Sequence, residues 1–70
     1  MIDLLFDADR VKSLRRRLGL TQRAFAERLG VAQPTVANWE TGDKRPEGPE
    51  TLMRLVELEC DAEAAEKAAV

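Results

Sequence analysis

A chain of 70 residues is long enough for one domain, residues 1–70, and a domain of this size is only marginally stable unless something reinforces it. One cysteine and no histidine exclude an internal disulfide and leave almost no ligands for zinc, so we expect no metal and no cofactor. The formal net charge of −2 argues against a strongly basic protein, but nine of the eleven lysines and arginines lie in residues 10–46, between acidic ends. This distribution is typical of an ordinary solvated surface or of a local basic patch that attracts a polyanion.

Three short helices are predicted in the first part of the chain, where apolar residues recur every three or four positions. They cover about residues 7–18, 21–29 and 33–41, after an apolar N-terminal arm of residues 1–6. Thr21 is a good N-cap for the second helix. A glycine that tolerates the left-handed conformation follows each helix: Gly19, Gly30 and Gly42. The apolar residues that should face the core are Val11, Leu14, Leu18, Phe25, Ala26, Leu29, Val36 and Trp39.

A fourth helix is predicted to begin near Pro49, because proline suits the first turn of a helix, and it follows a loop at residues 43–47. Its apolar residues are Leu52, Leu55, Val56 and Leu58. The alanine-rich, acidic tail of residues 61–70 extends this helix, forms a short fifth helix or frays, and the sequence leaves all three open. We therefore predict an all-α, compact four- to five-helix domain.

The second and third helices are joined by a turn so short, residues 29–32, that they must cross steeply, at about 90–120°. Gly30 allows the sharp reversal of the chain, and Ala26 is small enough for close contact between the two helices. The stretch LGLTQRAFAERLGVAQPTVANWETG resembles the helix-turn-helix of the phage-repressor and Cro-type family, also called the xenobiotic-response-element type. The resemblance covers about residues 10–58, and the matching positions are Gln22, Ala26, Gly30, Val36 and Trp39. It implies a central helix-turn-helix formed by helices 2 and 3.

Of the positions that would stabilise the third helix, one differs from this family and another agrees with it. Members usually have Ser or Thr at the position of Ala32, and alanine forgoes a helix cap that contributes about 0.5–2 kcal/mol. Pro34 partly compensates, because it fixes φ in advance in the first turn. The resemblance also implies that Arg15 and Glu40 form a structural ion pair that orients the third helix. Trp39 shares its face with other core residues, so we expect it to be buried.

The free face of the third helix is short, polar and uncharged, which suits close approach to base edges in a DNA major groove. On this face, Gln33 and Asn38 can each form two hydrogen bonds to adenine, and Pro34 or Ala37 can touch a thymine methyl group. The resemblance implies that Gln33, Pro34 and Asn38 read bases. The alternative is a solvent face without a ligand.

Contacts with the phosphate backbone would fix the position and orientation of the third helix on the DNA. The candidates are Thr21, Gln22, Arg23, Thr35, Lys44 and Arg45. The start of the second helix offers free N–H groups, and the resemblance implies that Gln22 contacts phosphate there and that Lys44 and Arg45 lie beside the DNA backbone. The alternatives are a plain helix start and a loop whose charges serve solubility. Arg16 and Arg17 are expected to be solvated, with contact to DNA as the alternative.

The sequence does not indicate an enzyme, because it offers no histidine, no nucleophile–base pair and no glycine-rich phosphate loop. The resemblance implies a sequence-specific transcription regulator, a repressor that binds a palindromic operator in double-stranded DNA as a homodimer. The dimer surface would be either the fourth helix with its tail or the apolar start, which comprises Ile2, Leu4, Leu5 and Phe6. With no apolar run long enough for a membrane span, no signal peptide and no ligand domain, we expect a cytoplasmic protein with no membrane contact and no small-molecule ligand.

Two other functions stay open. The segment RPEGPETLMRLVEL resembles the end of HigA- and MqsA-type antitoxin DNA-binding domains, so the chain could be an antitoxin that binds a toxin protein and represses its own operon. A protein-interaction module that has kept the fold and lost DNA binding is the third possibility. Salt-dependent binding to duplex DNA would separate this module from the two DNA-binding functions.

Overall fold

The computed structural model describes residues 6–68, and this part of the chain contains four α-helices and no strand. The helices are α1 (Ala8–Arg17), α2 (Gln22–Leu29), α3 (Gln33–Thr41) and α4 (Pro49–Ala68). The predicted all-α fold with a central helix pair is confirmed. Of the three alternatives for the tail, the structure shows the first, because α4 continues through it as one 20-residue helix to Ala68.

The ends of the first two helices follow from local sequence. The side chains of Asp7 and Thr21 accept hydrogen bonds from the backbone N–H groups of Arg10 and Ala24, so each caps the first turn of its helix. No side-chain hydrogen bond caps α3 at Ala32. The start of α3 is therefore held by the preceding turn and by packing rather than by a cap.

One hydrophobic core joins the four helices: α3 packs on α1 and α2, and α4 packs on the same two helices from another side. Trp39 is 5% exposed and belongs to this core, as predicted. The core residues are Phe6, Val11, Leu14, Phe25, Ala26, Leu29, Val36, Trp39, Leu55, Leu58 and Ala62. No helix within residues 6–68 is long and apolar enough to cross a membrane.

Phe6 corrects the prediction for the apolar start. It is 2% exposed, and the guanidinium carbon of Arg10 lies 3.9 Å from the centre of its ring. Burial of an aromatic ring contributes much of the stability of so small a domain, so moving Phe6 out of the core to form a dimer surface would destabilise the fold. Phe6 is therefore not available to a dimer surface, while Ile2, Leu4 and Leu5 lie outside the described residues.

Two ion pairs join α1 to α4. Arg10 donates two hydrogen bonds to the Glu59 carboxylate, at 2.7 and 2.8 Å, and Arg17 Nε lies 2.6 Å from Glu66 Oε1. Both pairs span 49 positions in the sequence, so the two helices lie side by side and run in the same direction. Arg17 was expected to be solvated, but its side chain is 33% exposed and carries this pair. The acidic α4 thus neutralises bases on the outer side of α1.

Candidate nucleic-acid interface

The free face of α3 carries the residues predicted to read bases. Gln33 and Pro34 are exposed and Ala37 and Asn38 are half-buried, whereas the opposite side of the helix lies in the core. The side chains of Gln33 and Asn38 make no hydrogen bond or ion pair with another residue of the described range. Their amide groups can therefore donate to and accept from a ligand without losing an internal contact.

The loop after α3 folds back onto that helix. The carbonyl oxygen of Asn38 accepts one hydrogen bond from the Thr41 hydroxyl at 3.1 Å and another from the backbone N–H of Lys44 at 3.3 Å. Gly42, with φ +87°, allows this reversal. The exposed side chains of Lys44 and Arg45 consequently extend from a loop that is anchored to α3. Together with Trp39, the loop lines an open groove through Asp43, Lys44, Arg45 and Glu47.

The residues predicted to contact phosphate at the start of α2 differ in their exposure and in their partners. Thr21 and Arg23 are exposed, and Arg23 Nε lies 3.7 Å from Glu27 Oε1, a long contact between two exposed side chains. Gln22 is half-buried, and its Nε2 donates to Glu40 Oε1 over 3.4 Å. Gln22 therefore has an internal partner that the sequence did not indicate. Thr35 is half-buried at the start of α3.

Arg15 and Glu40 meet in a two-point contact beneath α3. Arg15 Nε lies 2.7 Å from Glu40 Oε2, and Arg15 Nη2 lies 3.0 Å from Glu40 Oε1. The third guanidinium nitrogen of Arg15 donates to the carbonyl of Leu20 at 3.0 Å. One arginine of α1 thus connects α3 to the turn that precedes α2. Planar, paired contacts of this kind fix orientation as well as distance.

The electrostatics of this pair favour its charged form. Burial raises the pKa of the Glu40 carboxyl, but hydrogen bonds from Arg15 and Gln22 and the charges of Arg15 and Lys12 outweigh burial and hold the pKa below its ordinary value. The hydrogen bonds that Arg15 donates to Glu40 raise the pKa of Arg15. Glu40 is 7% exposed, and within residues 6–68 no buried side-chain N or O atom lacks a partner. This buried ion pair is fully hydrogen-bonded.

One further residue at the helix-turn-helix could not be predicted from the sequence. Arg54 of α4 donates from Nη1 to the carbonyl oxygen of Leu29, the last residue of α2, at 2.9 Å. The only local signal was the spacing of Glu50 and Arg54, four residues apart on one helix, which predicts a surface pair. That pair exists, with Nη2 at 3.1 Å from Glu50 Oε1, but it does not reveal the contact with α2.

Comparisons with known proteins agree with this architecture. A family model described as helix-turn-helix matches residues 11–58, which is more than half of the chain. The chain is also similar to the HTH-type transcriptional regulator DicA of Escherichia coli (strain K12), with 33% identity over 52 residues, or 74% of this chain. It spans only 38% of the length of that relative. No solved structure matches the chain at a significant level. The matched region contains α2, the glycine turn and α3 entire, and the chain belongs to the phage-repressor and Cro-type helix-turn-helix family.

Proposed function

We propose that this chain is a sequence-specific, double-stranded DNA-binding transcription regulator whose helix α3 enters the major groove. The observation that carries the proposal is the free face of α3, where two amide side chains have no internal partner and no charged residue separates them. Such amides match the donor and acceptor pattern of adenine in the major groove. A solvent face without a ligand would gain solubility from Lys or Glu, and α3 has neither on this face.

Exposed basic residues lie near the start of α2 and in the loop after α3. Arg23 extends from the start of α2, and Lys44 and Arg45 extend from the loop that is anchored to α3. Neutralising phosphates with such side chains supplies most of the affinity for DNA of any sequence. Meanwhile Arg10 and Arg17, on the outer side of α1, are paired with glutamates of α4. Lys44 and Arg45 form no ion pair within residues 6–68, so their charges remain available to phosphates next to α3.

In this proposal, the protein acts as a repressor and binds a palindromic operator as a homodimer. One reading helix contacts few base pairs, whereas two that are one DNA turn apart, about 34 Å, read a twofold-symmetric site. Since Phe6 belongs to the core, the exposed side of α4 is the dimer surface we favour. It carries Met53, the large hydrophobic residue that is exposed in the described part of the chain, at 49%.

The test begins with selection of bound duplexes from a random pool, which yields an operator sequence. Ala37→Glu places a carboxylate among the phosphates and base edges that α3 would contact, so binding to any DNA should collapse while the circular dichroism spectrum stays helical. Ser13→Glu places a carboxylate at an exposed position of α1, a helix that this proposal assigns neither to the groove nor to the dimer surface, and should leave binding unaltered. If Ala37→Glu binds as tightly as the unchanged protein, α3 is not in the groove and the proposal is wrong. The mass of the complex on the operator tests the dimer.

A further inference from the structure

Two backbone hydrogen bonds within the turn close the end of α2. The N–H of Gly30 donates to the carbonyl of Glu27 at 3.3 Å, and the N–H of Val31 donates to the carbonyl of Ala26 at 3.0 Å. This pair of bonds is the Schellman arrangement, which closes a helix at a glycine with positive φ. The carbonyl of Leu29 takes no part in it and needs a donor from elsewhere.

Arg54 supplies that donor from a distant helix. Its Nη1 reaches the Leu29 carbonyl across 25 positions of sequence, and its Nη2 is held by Glu50 one turn earlier on α4. The guanidinium lies directly against the turn, because a Cβ atom added to Gly30 would come within 2.8 Å of Nη1. Gly30 therefore serves two purposes here: it adopts φ +71°, and it leaves room for Arg54.

The two ends of α2 are held in the same way. At its start, Arg15 of α1 donates to the carbonyl of Leu20, and at its end Arg54 of α4 donates to the carbonyl of Leu29. Each arginine is itself fixed by a glutamate, Glu40 or Glu50. The turn that Arg54 touches leads directly into α3, which has no side-chain cap at Ala32 to fix its own start. The direction in which α3 leaves the turn therefore depends on contacts outside α3.

We propose that Arg54 is a positioning residue for DNA recognition: it fixes the turn between α2 and α3 from α4, and so holds α3 at the angle that matches the groove. This inference rests on the proposed function. Arg54 contacts no base in this scheme, and its effect is transmitted through the Leu29 carbonyl. Loss of the contact should therefore reduce discrimination between the operator and random DNA.

The experiment compares Arg54→Ala, Arg54→Lys and Glu50→Gln, each measured on the operator and on random duplex DNA and corrected for the folded fraction. A hydrogen bond to a charged group is equivalent to about a tenfold change in an equilibrium constant or more, so Arg54→Ala should lower operator affinity about tenfold. Affinity for random DNA should change much less. Lysine can donate one hydrogen bond to Leu29 and should restore part of the loss. Glu50→Gln leaves the bond to Leu29 in place and should change neither affinity more than about twofold.

Amide hydrogen exchange of the free protein tests the same contact without DNA. In Arg54→Ala, the N–H groups of Gly30 and Val31 should exchange about tenfold faster, while N–H groups in the middle of α1 are unchanged. Faster exchange with an unaltered operator-to-random ratio would overturn the positioning role and leave the proposed function intact. An equal loss on both DNAs would show instead that Arg54 is a phosphate contact. If the unchanged protein does not bind duplex DNA at all, the proposed function fails and the positioning role fails with it, whatever the exchange data show.

Discussion

Replacing Arg15 with alanine should destabilise this protein far more than the loss of an ordinary surface ion pair. The change removes both hydrogen bonds to the Glu40 carboxylate and the bond to the Leu20 carbonyl. It leaves Glu40 with the long contact from Gln22 as its remaining hydrogen-bond partner among the described residues, and with the charge of Lys12 in its surroundings. The cost arises because the carboxylate stays buried after it has lost the counter-ion to which it was hydrogen-bonded.

The burial of the pair sets the magnitude. An exposed ion pair contributes about 0–1 kcal/mol, whereas removing one partner of a buried pair costs about 3–5 kcal/mol. The Glu40 side chain is 3% exposed and the Arg15 side chain 17%, so we expect Arg15→Ala to cost about 3 kcal/mol. Glu40→Gln keeps an acceptor for Arg15 and should cost about 1.5 kcal/mol. The double variant should be little worse than Arg15→Ala alone, which corresponds to a coupling energy of about 1.5 kcal/mol.

Urea unfolding followed by the fluorescence of Trp39 measures these free energies, since this single tryptophan is buried in the core. A domain has only about 0.05–0.15 kcal/mol of stability per residue, so a destabilised variant of this small protein has little to lose before it unfolds. The measurement should therefore be made near 10 °C, where the free energy of unfolding is close to its maximum. Arg17→Ala is the matched control: it removes another arginine from α1, but from the exposed pair with Glu66, and its effect should be much smaller. A coupling energy of zero, or an Arg15→Ala variant no less stable than Arg17→Ala, would refute this reasoning.

Two further predictions concern DNA contacts and pH. Asn38→Ala should cost about 1–3 kcal/mol of binding on the operator and almost nothing on random DNA, whereas Arg45→Ala should weaken both similarly and reduce the log–log salt slope by about one; equal behaviour of the two variants would contradict the assigned roles. The folded-state pKa of Glu40 lies below its ordinary value of 4.5, so the unfolded chain takes up the proton first as pH falls. The stability that ionised Glu40 contributes is complete above about pH 4.5 and is lost as pH falls through the lower folded-state pKa. In that pH range, the urea midpoint of the unchanged protein should therefore fall more steeply than the urea midpoint of Glu40→Gln. Parallel pH profiles would show that Glu40 does not carry this dependence.

The helix-turn-helix could be predicted from sequence because its signals are local. Thr21 caps α2, Gly30 ends it with positive φ, and the free and buried faces of α3 follow from helical periodicity. These features depend on residues within a few positions of one another. The conformational preference of each residue therefore agrees with the final structure before any tertiary contact forms.

The features that sequence alone did not predict are all contacts between distant residues. Arg10 and Arg17 pair with glutamates 49 positions away, and nothing in either helix indicates which partner it will meet. Phe6 lies in an apolar run without helical period, so the run could equally face a partner chain or its own core. For Arg54, the sequence indicated the local pair with Glu50 but not the contact with Leu29. Such contacts are decided by the packing of α4 against α1 and α2, which local propensity does not specify.

The pairing of α1 with the acidic α4 has a consequence for the kinetics of encounter. A protein of net charge −2 has no overall attraction to a polyanion, but an uneven distribution of charge over its surface orients it in the field as it approaches. In the proposed role, the acidic α4 repels DNA, whereas the basic residues next to α3 attract it, so this distribution of charge favours first contact through α3. In the proposed role, a small regulator with this layout searches quickly and is retained only where α3 finds its bases.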